Sequence, residues 1–238
     1  DVVYTHIVYL LYNISYYYYM DEDLIAIKFY STQIRELSLE KRIETNIPIL
    51  VRKSVAKMLK KASDLLPKDI SLQIDGGYRS PKVQEILWKN RIRQLGIEKA
   101  KNLVGNPYRG TPGHSTGGAV DVSLVDENLN EINLSAPFEK YYDEQKLYSN
   151  KITKDAQKLR LLLYKIMLSV GFAPHDNEYW HFSYGDERWA KYYDKTVIYS
   201  QVPHPEKYYY PFMQRYYYKI VRRIYKLLNK IFKLKTNY

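Results

Sequence analysis

Two short stretches hold side chains that could do chemistry together. They are Gly113-His114-Ser115-Thr116-Gly117-Gly118-Ala119-Val120-Asp121 and Asn177-Glu178-Tyr179-Trp180-His181. Between them they offer two histidines, an aspartate and a further glutamate, in a chain with only 5 histidines. His114, Asp121 and His181 could hold a zinc ion through three protein ligands, leaving a fourth position for water. Glu178, a carboxylate outside that set, could then take a proton from the water. The chain has no cysteine, so thiolate ligands and disulfides are excluded, and any metal must be held by nitrogen and oxygen.

Each residue also has a plainer explanation. His114 can be solvated while Asp121 caps a turn. However, Asp121 lies in the apolar run Ala119-Val120-Asp121-Val122, where burying a carboxylate without compensation is costly. His181 stands among aromatics in Tyr179-Trp180-His181-Phe182 and could be a satisfied core residue. On a regular strand, positions 178 and 181 face opposite sides, so Glu178 joins His181 only if it lies just outside the regular strand or a bend turns it. Arg79, in Asp75-Gly76-Gly77-Tyr78-Arg79-Ser80, could stabilise an oxyanion or simply pair with Asp75 on the surface.

These residues need elements to carry them. Ile47–Leu66 has apolar positions at helical spacing and reads as a helix ending at Pro67. Ser71–Asp75 alternates as a strand and is broken by Gly76-Gly77. Ser80 and Pro81 are suited to the N-cap and first turn of a helix reaching Leu95. Residues 105–118 hold five glycines and two prolines and read as a loop. A strand is expected over Ala119–Val125, a helix over Thr153–Val170 stopped by Gly171, a strand over Tyr179–Tyr184, and a short helix over Asp186–Tyr193. Helices mixed with a few short strands point to an α+β fold.

Charge divides the chain. The net charge is +11, yet residues 204–238 alone hold nine Lys/Arg and one acid. Val202-Pro203-His204-Pro205 marks a boundary, giving a domain over 1–203 and a tail over 204–238. Within the tail, 213–234 reads as a basic amphipathic helix. It could touch a membrane surface or pack on the domain. Interleaved basic and aromatic residues, among 27 tyrosines, could also contact nucleic acid, but no nucleic-acid motif accompanies them and no such partner is expected. Val2–Met20 is uncharged. Its polar residues and tyrosines argue against a membrane span, and a folded or peripheral strand-rich segment is expected there.

Three motifs together resemble the zinc D-alanyl-D-alanine dipeptidases: Asp75-Gly76-Gly77-Tyr78-Arg79-Ser80, His114 through Asp121, and Glu178 through Asp186. Their order and spacing match across roughly residues 45–195. The resemblance implies one zinc ion on His114, Asp121 and His181. It implies Glu178 as general base and Arg79 as the group stabilising the intermediate. It implies a small central, mostly antiparallel sheet flanked by helices, as in DD-peptidases and the hedgehog domain. The implied substrate is a small D,D-dipeptide of cell-wall metabolism, in the bacterial cytoplasm or, alternatively, in the periplasm or at a membrane. The alternatives are a DD- or LD-carboxypeptidase acting on peptidoglycan stems, or a catalytically silent zinc module. Glu139, after Phe138, takes the place of the family's amine-binding aspartate, with Ser115 and Tyr78 as further substrate residues. Pro112 stands where the family has a substrate-binding serine. His175 matches no family ligand.

Overall fold

The computed structural model describes residues 24–27, 34–36, 49–101, 104–134 and 143–202. Expectations for residues 1–20, Glu139 and the tail from 204 fall outside these.

The chain opens with three short strands, β1 (Leu24–Ala26), β2 (Arg35–Glu36) and β3 (Leu50–Arg52). Helix α1 (Lys53–Asp64) and strand β4 (Ile70–Gly76) follow. Helices α2 (Pro81–Leu95), α3 (Ile97–Ala100) and the single turn α4 (Gly113–Thr116) lead to β5 (Ala119–Asp126). Helix α5 (Lys154–Ser169), strands β6 (Ala173–His175) and β7 (Glu178–Ser183), and helix α6 (Glu187–Tyr193) complete the set.

Five strands form the main sheet in the order β2-β4-β5-β7-β6. Only the β2–β4 pair is parallel. Strands β1 and β3 make a separate antiparallel pair. The architecture is thus the expected α+β one, with a mostly antiparallel sheet.

Strand alternation sets the two faces of this sheet. Val120, Val122 and Leu124 of β5, with Leu72 and Ile74 of β4, point into the core. There they meet Val55 and Leu59 of α1 and Leu163 and Met167 of α5. The alternate positions, Gln73, Asp75, Asp121 and Ser123, form a polar face on which the chemistry lies. Side-chain caps fix three helix starts: Ser80 accepts from Val83 N, Thr153 from Ala156 N and Asp186 from Trp189 N. Among the described residues no helix is long and apolar enough to cross a membrane.

The fold departs from the sequence expectation in two places. The helix expected from Ile47 begins only at Lys53, because Leu50-Val51-Arg52 is fully buried as a strand against β1. Backbone bonds from Tyr78 N to Leu50 O and from Arg52 N to Gly117 O bind this strand to the site loops. The loop expected over 105–118 contains the turn α4, closed by Gly117 in the left-handed region at φ 75°.

Candidate metal centre

Asp121 of β5 and His181 of β7 are direct partners in the antiparallel register. Their side chains therefore rise from the same face, and Asp121 Oδ1 lies 2.9 Å from His181 Nδ1. His114 arrives from α4 and puts Nε2 3.2 Å from Asp121 Oδ2. Ligand atoms of the three residues lie within 4.8 Å of one another. Ligands of a tetrahedral ion, each about 2.0–2.2 Å from it, stand roughly 3.3 Å apart. The spacing and the two-imidazole, one-carboxylate chemistry fit a single divalent metal.

The surrounding backbone fixes the first histidine. His114 Nδ1 donates to Gly77 O at 2.8 Å, which directs Nε2 toward Asp121. In return Arg79 N donates to His114 O at 3.0 Å. Gly77 must be glycine at this clasp. A Cβ there would sit 2.5 Å from Leu50 O and 2.7 Å from Ile49 Cγ2. Arg52, fully buried beneath α4, donates from Nε to Thr116 O at 2.6 Å.

A break in strand parity brings Glu178 to His181. Across β6–β7, Pro174 pairs with Phe182 but His175 pairs with Glu178, so β7 carries extra residues between them. Tyr179 N leaves the sheet to donate to Gln145 O. Glu178 Oε2 consequently reaches 3.9 Å from His181 Nδ1, on the same side as the cluster. Of the two arrangements open from the sequence, Glu178 outside the strand or a bend, the register shift corresponds to the bend. Burial pushes the Glu178 carboxyl up, and Asp121 adds to this against the opposing pull of His181. Burial alone would also raise Asp121, but His114 and His181 hold it well below the usual range.

Arg79 pairs with Asp121 rather than with Asp75. Its Nη2 lies 4.0 Å from Asp121 Oδ2, and Nη1 donates to Gln84 Oε1 at 3.0 Å. Gln84 in turn donates to Gly105 O at 2.7 Å, which fixes the guanidinium at the cluster's edge. Asp75 instead accepts from Gln73 and Ser123.

The two further residues expected at the substrate, Ser115 and Tyr78, are buried, at 0% and 1% exposure. Tyr78 packs with Leu24, Leu50 and Val202, and its hydroxyl donates to Val202 O. Ser115 Oγ is buried without a hydrogen-bond partner among the described residues.

The sequence reading missed Gln84, Arg52 and Ser183 as supports. Ser183 Oγ lies 3.4 Å from His181 Nε2, two residues along the same strand face. That i, i+2 spacing was the available signal. Arg52 carried none, because its partner is a backbone carbonyl distant in sequence, and Gln84, five residues from Arg79, is anchored through the distant Gly105 carbonyl.

Comparison with known proteins gives a consistent assignment. The family model described as D-ala-D-ala dipeptidase matches residues 33–203. A D-alanyl-D-alanine dipeptidase of Synechocystis sp. is 35% identical over 184 residues, covering 62% of this chain and 74% of the relative. One from Escherichia coli is 28% identical over 134 residues, covering 56% of this chain and 65% of the relative. Among solved structures, the LD-carboxypeptidase LdcB aligns with a TM-score of 0.42 at 22% identity, covering 74% of this chain and 75% of that one.

Proposed function

The chain belongs to the D-ala-D-ala dipeptidase family of metallopeptidases, and on that premise we propose that it hydrolyses the D-Ala-D-Ala dipeptide with one zinc ion. One observation carries the proposal: His114, Asp121 and His181 converge while Glu178, a buried carboxylate outside that set, stands beside them.

In this proposal the two imidazoles and Asp121 hold the zinc. When bound, zinc supplies Lewis acidity toward the peptide carbonyl and lowers the pKa of its water. Glu178 is the general base and then the acid that returns the proton to the leaving amine. Its raised pKa suits both halves of that exchange. Arg79, held by Gln84, offers its guanidinium to the negative charge that develops on the carbonyl oxygen. Asp121 keeps about a fifth of its side chain exposed, so the cluster is open to a small substrate. Recognition of the free ammonium falls to Glu139 in this reading.

Zinc content and D-Ala-D-Ala hydrolysis, measured on wild type beside Glu178→Ala, test the proposal. The variant should keep about one zinc and lose activity by roughly 100- to 10,000-fold. Equal turnover in the two proteins would remove Glu178 as base. N-acetyl-D-Ala-D-Ala should be a poor substrate, and equal cleavage of the acetylated and free dipeptides would favour a carboxypeptidase instead.

A further inference from the structure

Helix α5 buries Ala156, Arg160, Leu163, Ile166 and Met167 at helical spacing. All but Arg160 are apolar, and Arg160 is only 1% exposed. A charge so deep normally pairs with a carboxylate. Arg160 instead engages backbone carbonyls and an aromatic face. Its Nε donates to Leu134 O, and its Nη1 donates to Lys146 O at 2.8 Å. Its Cζ stands 3.8 Å from the centroid of the Tyr179 ring. Its Nη2 is buried without a hydrogen-bond partner among the described residues. An apolar side chain of similar size in such a place is often as stable or more so, which leaves stability a weak reason for the charge.

These contacts meet where β7 is irregular. Tyr179 N donates to Gln145 O at 3.1 Å, and Leu147 N donates to Asp176 O at 3.1 Å. Residues 145–147 therefore run beside 176–179, at the place where the β6–β7 register shifts. Lys146, which Arg160 holds, lies between the two residues that make these bonds. Tyr179, whose ring Arg160 covers, directly follows Glu178.

We propose that Arg160 is a positioning residue for Glu178, holding the break in β7 that turns this carboxylate to the metal side. The inference rests on the dipeptidase reading above and names what keeps its general base in place. The physical argument is strand parity. A regular strand would put positions 178 and 181 on opposite faces. The irregularity instead brings Glu178 Oε2 to 3.9 Å from His181 Nδ1. It costs ladder bonds, and the Tyr179 N–H that leaves the sheet needs another partner. Gln145 O is that partner, and Arg160 fastens its neighbour Lys146 and the Tyr179 ring at once. A planar guanidinium can bond two carbonyls and stack on a ring in one pose, which an ammonium cannot do. Arg160 acts through Lys146 and Tyr179, not on the reacting atoms.

The test compares zinc-loaded wild type, Arg160→Met and Arg160→Lys. Methionine keeps length and apolar packing but removes the donors and the charge, and urea unfolding should find it near wild-type stability. Its kcat on D-Ala-D-Ala should fall roughly 10- to 100-fold, with KM and zinc content within about twofold of wild type. Arg160→Lys should recover part of the loss, because it keeps a cation over the Tyr179 ring and one donor. Amide hydrogen exchange is the readout independent of turnover. The Tyr179 amide should exchange roughly tenfold or more faster in Arg160→Met, while the amides pairing β5 with β7 keep their protection. Unchanged Tyr179 exchange, full kcat, or a loss confined to KM would each overturn the positioning role. So would exchange that rises equally across β5 and β7, the mark of general packing. If Arg160→Met does not fold, the same readings on Arg160→Lys decide, with wild-type kcat and Tyr179 exchange overturning the role. A wild type inactive on D-Ala-D-Ala would sink the hydrolase reading alone, and Tyr179 exchange would still decide whether Arg160 holds the entry to β7.

Discussion

Asp121 and His181 face each other across β5 and β7, and their side chains meet at 2.9 Å. The sheet register itself therefore aligns two of the three candidate ligands, and only His114 depends on a loop turn. Asp121→Asn keeps the size and one acceptor but removes the charge that both histidines engage. Zinc affinity should fall roughly 100-fold or more while the fold persists, because β5 stays packed through Val120, Val122 and Leu124. Metal-competition titration reads the affinity and circular dichroism reads the fold. Near-wild-type affinity would remove Asp121 from the ligand set.

Gly77 links the packing of the fold to the orientation of the metal site. Gly77→Ala would force a Cβ against the Leu50 carbonyl, a backbone atom with little room to move. It would also shift the carbonyl that His114 Nδ1 uses. We expect about 2–4 kcal/mol lower stability and roughly 10- to 100-fold weaker zinc binding. Urea unfolding and metal competition on the same protein check both. Weakened stability with intact zinc affinity would separate the clasp from the site.

Asp75 makes stability depend on pH. Burial pushes its carboxyl from 3.8 up to about 7 against the hydrogen bonds from Ser123 and Gln73, and the charges of Asp121 and Glu131 add to the rise. The folded state thus holds a proton that the unfolded chain releases, so this residue lowers stability as pH rises from about 4 to about 7. Asp75→Asn stays neutral and can still accept from both neighbours. Its advantage over wild type should be near zero at pH 4, grow toward pH 7 and then level off, reaching on the order of 1–4 kcal/mol. Urea titrations at pH 4.5 and 8 provide the measurement. A difference of equal size at both pH values would show that charge at Asp75 is not the cause.

Much of this was legible in the sequence because the signals were local. Ser80-Pro81, Thr153 and Asp186 marked helix starts through caps that each reach only three residues ahead. The apolar residues around Asp121 marked β5 as a strand with a carboxylate set among them. What escaped was non-local. Leu50–Arg52 looked helical because it runs into α1, and only pairing with residues 24–26 makes it a strand. The β7 irregularity that turns Glu178 toward His181 depends on β6 and on Gln145. Tyr78 and Ser115 adjoin Arg79 and His114 in sequence, and their burial was not legible there because the residues that enclose Tyr78, Leu24, Leu50 and Val202, are distant in the chain.

Arg79 gives the strongest separation between binding and chemistry. Its guanidinium spans Gln84 Oε1 and the Asp121 carboxylate, a geometry that needs two nitrogens in one plane. Lysine keeps the charge but cannot make both contacts. Arg79→Ala should cut kcat for D-Ala-D-Ala by roughly 100- to 1,000-fold, with zinc content unchanged. Arg79→Lys should recover only a small part, because a point charge without the Gln84 anchor is poorly aimed at the carbonyl oxygen. Gln84→Ala should fall between wild type and Arg79→Ala, since it frees the guanidinium without removing it. Steady-state kinetics on metal-quantified protein ranks the three. If the Arg79→Lys variant kept full kcat, positive charge alone would suffice and the anchored fork would have no catalytic role.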